Sequence, residues 1–300
     1  MHGGWHGVIA LMAAAVALAG ACAPVRAGGA TPERVASLDP CADHYVLALA
    51  DREQIAALAP PPPGGRLPRF AQRAESLPRL RPTAEKLLMR GPDLAVRLWG
   101  GQPGIGGTLR RAGIEVFKLR YATGFETARE NLRRAGKALG HPAEAERMIA
   151  RMDRRLATMR ARRLPAGERP SAIYVTPSGK TAGARTFADS VLTAAGLANM
   201  GAADGRTGWY PLDLERLALR RPDVIVAGQF EAGLRPDFWA ITRHSFMRRV
   251  FAEVPVIRVR GRTMFCQAWY AVDAVAQIQA RMAELPGMLR PPQTAKTPAD

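Results

Sequence analysis

Two amphipathic stripes dominate the middle of the chain. Phe125, Ala128, Leu132, Ala135 and Leu139 recur at three- and four-residue spacing, the pattern of a helix that buries one face. Thr123 and Glu126 read as a capping box at its start, and Gly140-His141-Pro142 ends it and restarts the chain. Ala145, Met148, Ile149, Met152, Leu156 and Met159 form the second stripe and predict a helix over 142–163. Glu144 and Glu146 fall in its first turn and Arg160, Arg162 and Arg163 in its last, both favourable to the helix dipole. At about 1.5 Å per residue it is a stiff rod of about 33 Å, long enough to bridge two domains.

On either side of these helices the apolar runs are short and bounded by turn residues. Arg34–Leu38 reads as a strand, then Asp39-Pro-Cys-Ala, then a helix through Asp43–Ala50. Ala172–Val175 reads as a strand, then Thr176-Pro-Ser-Gly-Lys180, then a helix through Phe187–Ala195. A twelve-residue phrase also occurs twice, as Glu85-Lys-Leu-Leu-Met-Arg-Gly-Pro-Asp-Leu-Ala-Val96 and Glu215-Arg-Leu-Ala-Leu-Arg-Arg-Pro-Asp-Val-Ile-Val226. Six positions are identical at an offset of 130 residues, the scale of a duplicated domain and not of a solenoid. Each copy reads as the end of a helix, a Pro-Asp stop and an apolar strand. Each is followed by a helix ending in paired basic residues (Leu109-Arg-Arg, Met247-Arg-Arg) and a further strand, Ile114–Leu119 or Val254–Val259. Residues 59–82, rich in proline and glycine, predict an irregular connection with one short helical turn.

The expected fold is therefore α/β: two Rossmann-like lobes with parallel sheets, joined by a single long rigid helix, with a ligand cleft between them. The boundaries are an N-terminal lobe over 31–140, a linking helix over 141–164, a C-terminal lobe over 170–285 and a tail over 286–300.

Residues 1–27 read as a secretory signal peptide, with a short apolar run from Val8 to Ala19 and a cleavage site after Ala27. Cleavage ahead of a lipid-bearing Cys22 is the rival; the soluble periplasmic form is preferred because Leu18 sits one place too far from that cysteine. Loss of residues 1–27 removes only Arg26, so a formal net charge of +17 becomes +16. An anionic ligand would be drawn to such a surface. Arginine spread over helix faces by composition alone is the plainer reading. No basic run alternates with aromatic residues, which argues against nucleic acid. Two cysteines remain, Cys41 and Cys266, in a compartment where thiols oxidise. They read as a disulfide, as two separate buried thiols, or as one thiol facing the ligand.

In this order and spacing, the pattern resembles the substrate-binding proteins of ABC importers for iron–siderophore, haem and cobalamin. The pieces that carry the resemblance are Val35–Asp43, the Glu-x-Leu-x-x-x-x-Pro-Asp phrase in both lobes, Thr181–Thr186 and Phe265-Cys-Gln-Ala-Trp269. The resemblance spans about residues 31–285. It implies a monomeric receptor that binds a small-molecule metal chelate, partners the importer's membrane subunits, and carries no catalytic residues and no cofactor of its own. It also implies that Glu85 and Glu215 dock on the permease. Candidate ligand-binding residues are the aromatic and polar side chains of the inter-element loops: Trp99, Tyr121, Ser178, Lys180, Arg185, Trp209, Tyr210, Gln229, Phe265 and Trp269. Aromatic walls suit flat corrin, haem or catecholate ligands, and cations suit their carboxylates.

Direct binding of a divalent metal is the alternative within the same fold. It wants three or four converging His, Asp, Glu or Cys groups. The mature chain offers His44, read as a helix-surface residue, His141 at the break between helices, and His244. A chelatase or hydrolase on the same frame is the other alternative. It lacks a nucleophile elbow at Ser37 or Ser178 and an acid partner for Asp39 and Asp43. A purely structural envelope protein would leave the paired lobes without a purpose.

Overall fold

The duplicated phrase folds twice into the same local structure. In the computed structural model, which describes residues 31–61, 70–228 and 244–288, each copy closes a helix and opens the third strand of a four-stranded parallel sheet. The first sheet is built from β1 (Val35–Ser37), β2 (Ile55–Ala57), β3 (Leu94–Arg97) and β4 (Glu115–Lys118), in the order β2-β1-β3-β4. Its helices are α1 (Pro40–Leu49), α2 (Ala71–Ala74), α3 (Ala84–Arg90) and α4 (Ile105–Arg111). After two further helices, α5 (Phe125–Leu139) and α6 (Pro142–Ala161), come β5 (Ser171–Val175), β6 (Lys180–Ala182), α7 (Phe187–Ala195), β7 (Ala198–Asn199), β8 (Trp209–Pro211), α8 (Leu214–Leu219) and β9 (Val224–Gly228). The chain then forms α9 (Ser245–Glu253), β10 (Val256–Val259), α10 (Gly261–Met264) and α11 (Val272–Met282). The second sheet runs β10-β9-β5-β7, so both lobes place their second, first, third and fourth parallel strands side by side in that order.

The Pro-Asp pair of the phrase is a clamp as well as a helix stop. The Asp93 carboxylate accepts the backbone N–H groups of Glu33 (2.8 Å) and Arg34 (3.2 Å), just ahead of β1. Asp223 does the same for β5, accepting Ser171 N–H and Ser171 Oγ at 2.7 Å each. The helix before each clamp starts alike. Thr83 caps α3 by accepting Lys86 N–H (3.3 Å), and Asp213 caps α8 by accepting Arg216 N–H (3.0 Å).

Apolar side chains pack in three clusters. One lies on the outer face of each sheet, around Leu38, Leu87 and Leu109 in the first lobe and around Val175, Leu217 and Met247 in the second. The third is continuous between the lobes and includes Tyr45, Leu132, Ile149, Phe187 and Ile278 from α1, α5, α6, α7 and α11. The lobes thus share one core instead of folding as separable domains. The linking helix, predicted as a stiff rod bridging the lobes, is also braced on several sides: α6 packs on α5, α7 and α11. Gly136 permits the closest approach, since a Cβ there would lie 2.4 Å from the Ala145 Cβ. Arg129 pairs with Asp153 (2.6 Å) and Arg133 with Glu146 (2.6 Å) across the same seam. Gln279 on α11 donates to the carbonyls of Met159 (2.8 Å) and Ala195 (3.1 Å), tying the end of α6 to the end of α7.

Several local expectations shift. Gly124, not Thr123, is the N-cap of α5, and Glu126 turns to Arg129 instead of closing a capping box. Arg248-Arg249 lie inside α9, which runs on to Glu253 because Val250 is buried beneath it. The antiparallel pair β6–β8 was not predicted; its strands have three residues each, too few for a period to register. The proposed leader with Cys22 lies outside the described residues, as do 62–69 and the tail beyond 288. No helix among the described residues is long and apolar enough to cross a membrane.

Candidate functional site

Loops at the carboxyl ends of the strands carry three large exposed aromatic side chains: Trp99 (59% exposed) after β3, Tyr121 (60%) after β4 and Phe265 (52%) after β10. What holds each loop explains its position. The Asp39 carboxylate is buried and accepts five backbone N–H groups. Cys41 (3.1 Å) and Ala42 (2.8 Å) come from the first turn of α1, and Leu98 (2.8 Å), Trp99 (3.2 Å) and Gly100 (2.9 Å) from the loop after β3. Gly100 is needed at that spot, because a Cβ there would lie 2.0 Å from the Leu38 carbonyl oxygen. Tyr121 follows a second latch, in which the Asn131 side chain accepts Arg120 N–H (2.9 Å) and donates to Arg120 C=O (2.8 Å).

Covalent and hydrogen bonds then join the lobes. Cys41 and Cys266 form a disulfide with Cα atoms 5.2 Å apart, so two of the three readings of these thiols are set aside. Gln267, in the left-handed region at φ 49°, donates from Nε2 to Tyr121 Oη at 2.7 Å. Phe265 directly precedes this pair of links. A single chain of bonded contacts therefore runs from Trp99 through Asp39, Cys41 and Cys266 to Phe265, and through Gln267 to Tyr121. Beside it the Phe125 and Phe187 rings meet at 5.4 Å, carrying apolar contact from α5 to α7.

The other predicted residues divide. Ser178, Lys180 and Arg185 are exposed at the carboxyl end of the second sheet. Arg185 holds a left-handed backbone at φ 61°, which favours glycine or asparagine in the absence of other constraints. Trp209 is half-buried with its ring edge against Tyr174 (5.7 Å). Tyr210 is occupied within its own lobe: its hydroxyl donates to the Gly201 carbonyl, and Arg206 lies 4.9 Å over its ring. A small cavity beside it is lined by Thr181, Met200, Arg206, Leu212 and Arg216. Trp269 is a core residue, 8% exposed, wedged against Tyr45 (4.9 Å) and Tyr270 (5.1 Å), so it supports the disulfide segment from beneath and does not line a wall. Gln229 lies outside the described residues.

His44 corrects a further expectation. It is buried at 4% exposure, packed between Phe70 (5.5 Å) and Tyr270 (4.9 Å), because α1 is enclosed on nearly every face. Among the described residues no three His, Cys, Asp or Glu groups converge as a metal-ligand set. Asp39, Asn131 and Gln267 are the site's supports, and the sequence offered a signal only for the first, an Asp before a Pro-initiated helix.

Asp43 is fully buried one turn into α1. Ser37 Oγ and Ala59 N–H (3.0 Å) donate to it, and Arg79 Nη1 lies 3.6 Å away. Burial pushes its pKa up from 3.8 to about 6, against those two hydrogen bonds and Arg79 and with help from the Asp39 charge. Between those values the native state holds the extra proton, so this group's contribution to stability falls as pH rises from about 4 to about 6. The full effect is about 3 kcal/mol at about 1.4 kcal/mol per unit. Asp43→Asn should flatten that slope, read as unfolding free energy at pH 4.5 against pH 6.5; parallel pH profiles for the two proteins would refute the assignment.

Comparison with known proteins now decides the family. The sequence model of the periplasmic binding protein family matches residues 35–237. The chain belongs to that family. A comparison with curated proteins finds no match. Among solved structures, the fold resembles a periplasmic binding protein from Veillonella parvula at TM-score 0.71 and 18% identity, covering 85% of this chain and 92% of that one. It also resembles the periplasmic haem-binding protein HutB of Vibrio cholerae (0.67, 17% identity, 83% and 98% covered). The apo haem-binding RhuT from Roseiflexus is similar too (0.63, 20%, 83% and 98%). At such identities the likeness establishes the shared fold.

Proposed function

We propose that this periplasmic binding protein captures an organic metal chelate (haem, a ferric siderophore or a corrinoid) between its lobes in the periplasm and delivers it to an ABC importer. The observation that carries the reading is the set of three exposed rings, Trp99, Tyr121 and Phe265, fixed by buried latches on a frame whose lobes share a core. Exposed flat rings on rigid loops suit a flat, conjugated ligand with little ordering cost. Lys180 and Arg185, on the same lobe as Phe265 and across from Trp99 and Tyr121, supply cations for its carboxylates or net negative charge. Two of the similar structures, HutB and RhuT, are haem-binding proteins, which supports the same ligand class. Glu85 and Glu215, exposed at the start of α3 and α8, are the permease-docking pair in this reading.

The test is an absorbance and fluorescence titration with hemin, a ferric catecholate and cobalamin. One of the three should bind at micromolar or tighter affinity. Trp99→Ala and Tyr121→Ala should each weaken that binding about tenfold, the order of one aromatic contact beyond its buried area. Failure of all three ligands to bind, or full affinity in both variants, would sink the reading.

A further inference from the structure

Six large apolar side chains are exposed among the described residues: Leu88, Met89, Trp99, Tyr121, Leu219 and Phe265. Three of them stand on the ligand loops. The other three lie on α3 and α8, the two helices of the duplicated phrase. Met89 is 83% exposed and Leu219 is 90% exposed, and they occupy equivalent positions, 130 residues apart. Folding does not require either one, since the neighbouring Leu87 (0%) and Leu217 (2%) already fill the outer cores. Each stands four residues after an exposed carboxylate, Glu85 or Glu215, and so one helical turn away on the same face. Neither carboxylate has a side-chain partner among the described residues, in a chain of net charge +17. The nearby Arg90 is engaged elsewhere, donating from Nε to the Ala56 carbonyl (2.8 Å), and Arg221 pairs with Glu253 (3.5 Å).

We infer that Met89 and Leu219 are a matched pair of apolar anchors, one per lobe, that seat in two equivalent pockets on the membrane subunits of the importer, each pocket rimmed by a cation that meets Glu85 or Glu215. The inference rests on the docking reading of the two glutamates and adds to it. The carboxylates set approach and register, while the desolvated Met and Leu supply the holding contact, as buried apolar residues do at the centre of interfaces. The occupant is a cationic, apolar protein surface in duplicate, because the chain presents a carboxylate beside an apolar knob in duplicate. Flanking Lys86 and Arg220 would also suit an anionic lipid headgroup, so the test carries a lipid arm.

The experiment places a photoreactive benzoylphenylalanine at position 89 or 219 of the full chain in the cells that make it. The expected result is an adduct with the same polytopic membrane protein from both positions, reduced at least fivefold in the Glu85→Arg/Glu215→Arg background. Met89→Ser/Leu219→Ser should weaken binding to membranes containing that protein at least tenfold, with hemin titration and Tm as in the unsubstituted chain and binding to phosphatidylglycerol vesicles unchanged. Adducts with lipid, with soluble protein, with a second copy of this chain or with nothing overturn the anchors, as does a serine variant that binds those membranes normally. If the charge reversal weakens membrane binding and the serine variant does not, the anchors fail while the glutamate reading stands. If the adduct forms regardless of the glutamates, the anchors stand and the charge pairing is what fails.

Discussion

Replacing Cys41 and Cys266 together by alanine is expected to cost about 5 kcal/mol of stability. The bond joins positions 225 residues apart, from the first turn of α1 to the segment before α11, and encloses most of the described chain. In the chain-entropy treatment the denatured ensemble loses more freedom the longer the loop closed, about 4.7 kcal/mol for 100 residues and slightly more here. The native state adds a second term. Both cysteines are buried, at 3% and 5% exposure, in the core that the lobes share, so two truncated side chains leave unfilled space there. Urea unfolding of the oxidised protein and the double alanine variant reads the difference, and a loss below about 1 kcal/mol would contradict it. The same bond fixes Phe265 and Gln267 relative to Asp39, so the variant should also bind its ligand more weakly even at temperatures where it stays folded.

The architecture could be read from the sequence because it was written twice. One phrase at an offset of 130 residues, with a strand, a loop and a helix opening each half, implied paired lobes before any contact was known. The stripes around Leu132 and Ile149 implied the helices between them, and the comparison with the periplasmic binding protein family agrees with that reading. What stayed hidden was tertiary. His44 and Trp269 are amphipathic residues that occur on surfaces and in cores alike, and only the enclosure of α1 and the packing of Tyr45 decide which. Trp209 and Tyr210 sit on a three-residue strand whose partner, Lys180–Ala182, is another. Their pairing turns one ring onto Tyr174 and hands the other's hydroxyl to Gly201, neither of which has a local signature. Pro-Asp read correctly as a helix stop, yet the clamp that Asp93 and Asp223 close on the first strand of each lobe is a contact across more than fifty residues. Local pattern fixes an element's type; it says little about which polar group answers a distant backbone N–H.

Asp39→Ala should be the most damaging single substitution at the site, with a stability loss of about 4 kcal/mol. One part is the loss of the N-cap of α1, worth about 1 kcal/mol. The larger part comes from the loop after β3. Leu98, Trp99 and Gly100 would keep their N–H groups while losing the acceptor they share, and each donor left unpaired away from water costs about 1–3 kcal/mol. The loop can relieve this only by moving out to solvent, which carries the Trp99 ring out of its fixed position. Asp39→Asn separates charge and shape from acceptor count. An amide keeps the volume but turns one oxygen into a donor, aimed either at the α1 amides or at the loop amides, so it should behave more like alanine than like aspartate. Hydrogen exchange at the Leu98, Trp99 and Gly100 amides is the direct readout. Protection at all three should fall by at least tenfold in both variants, ahead of the amides of β3 itself. Unchanged protection there would mean that this loop, and the ring it carries, is held by something other than the Asp39 carboxylate.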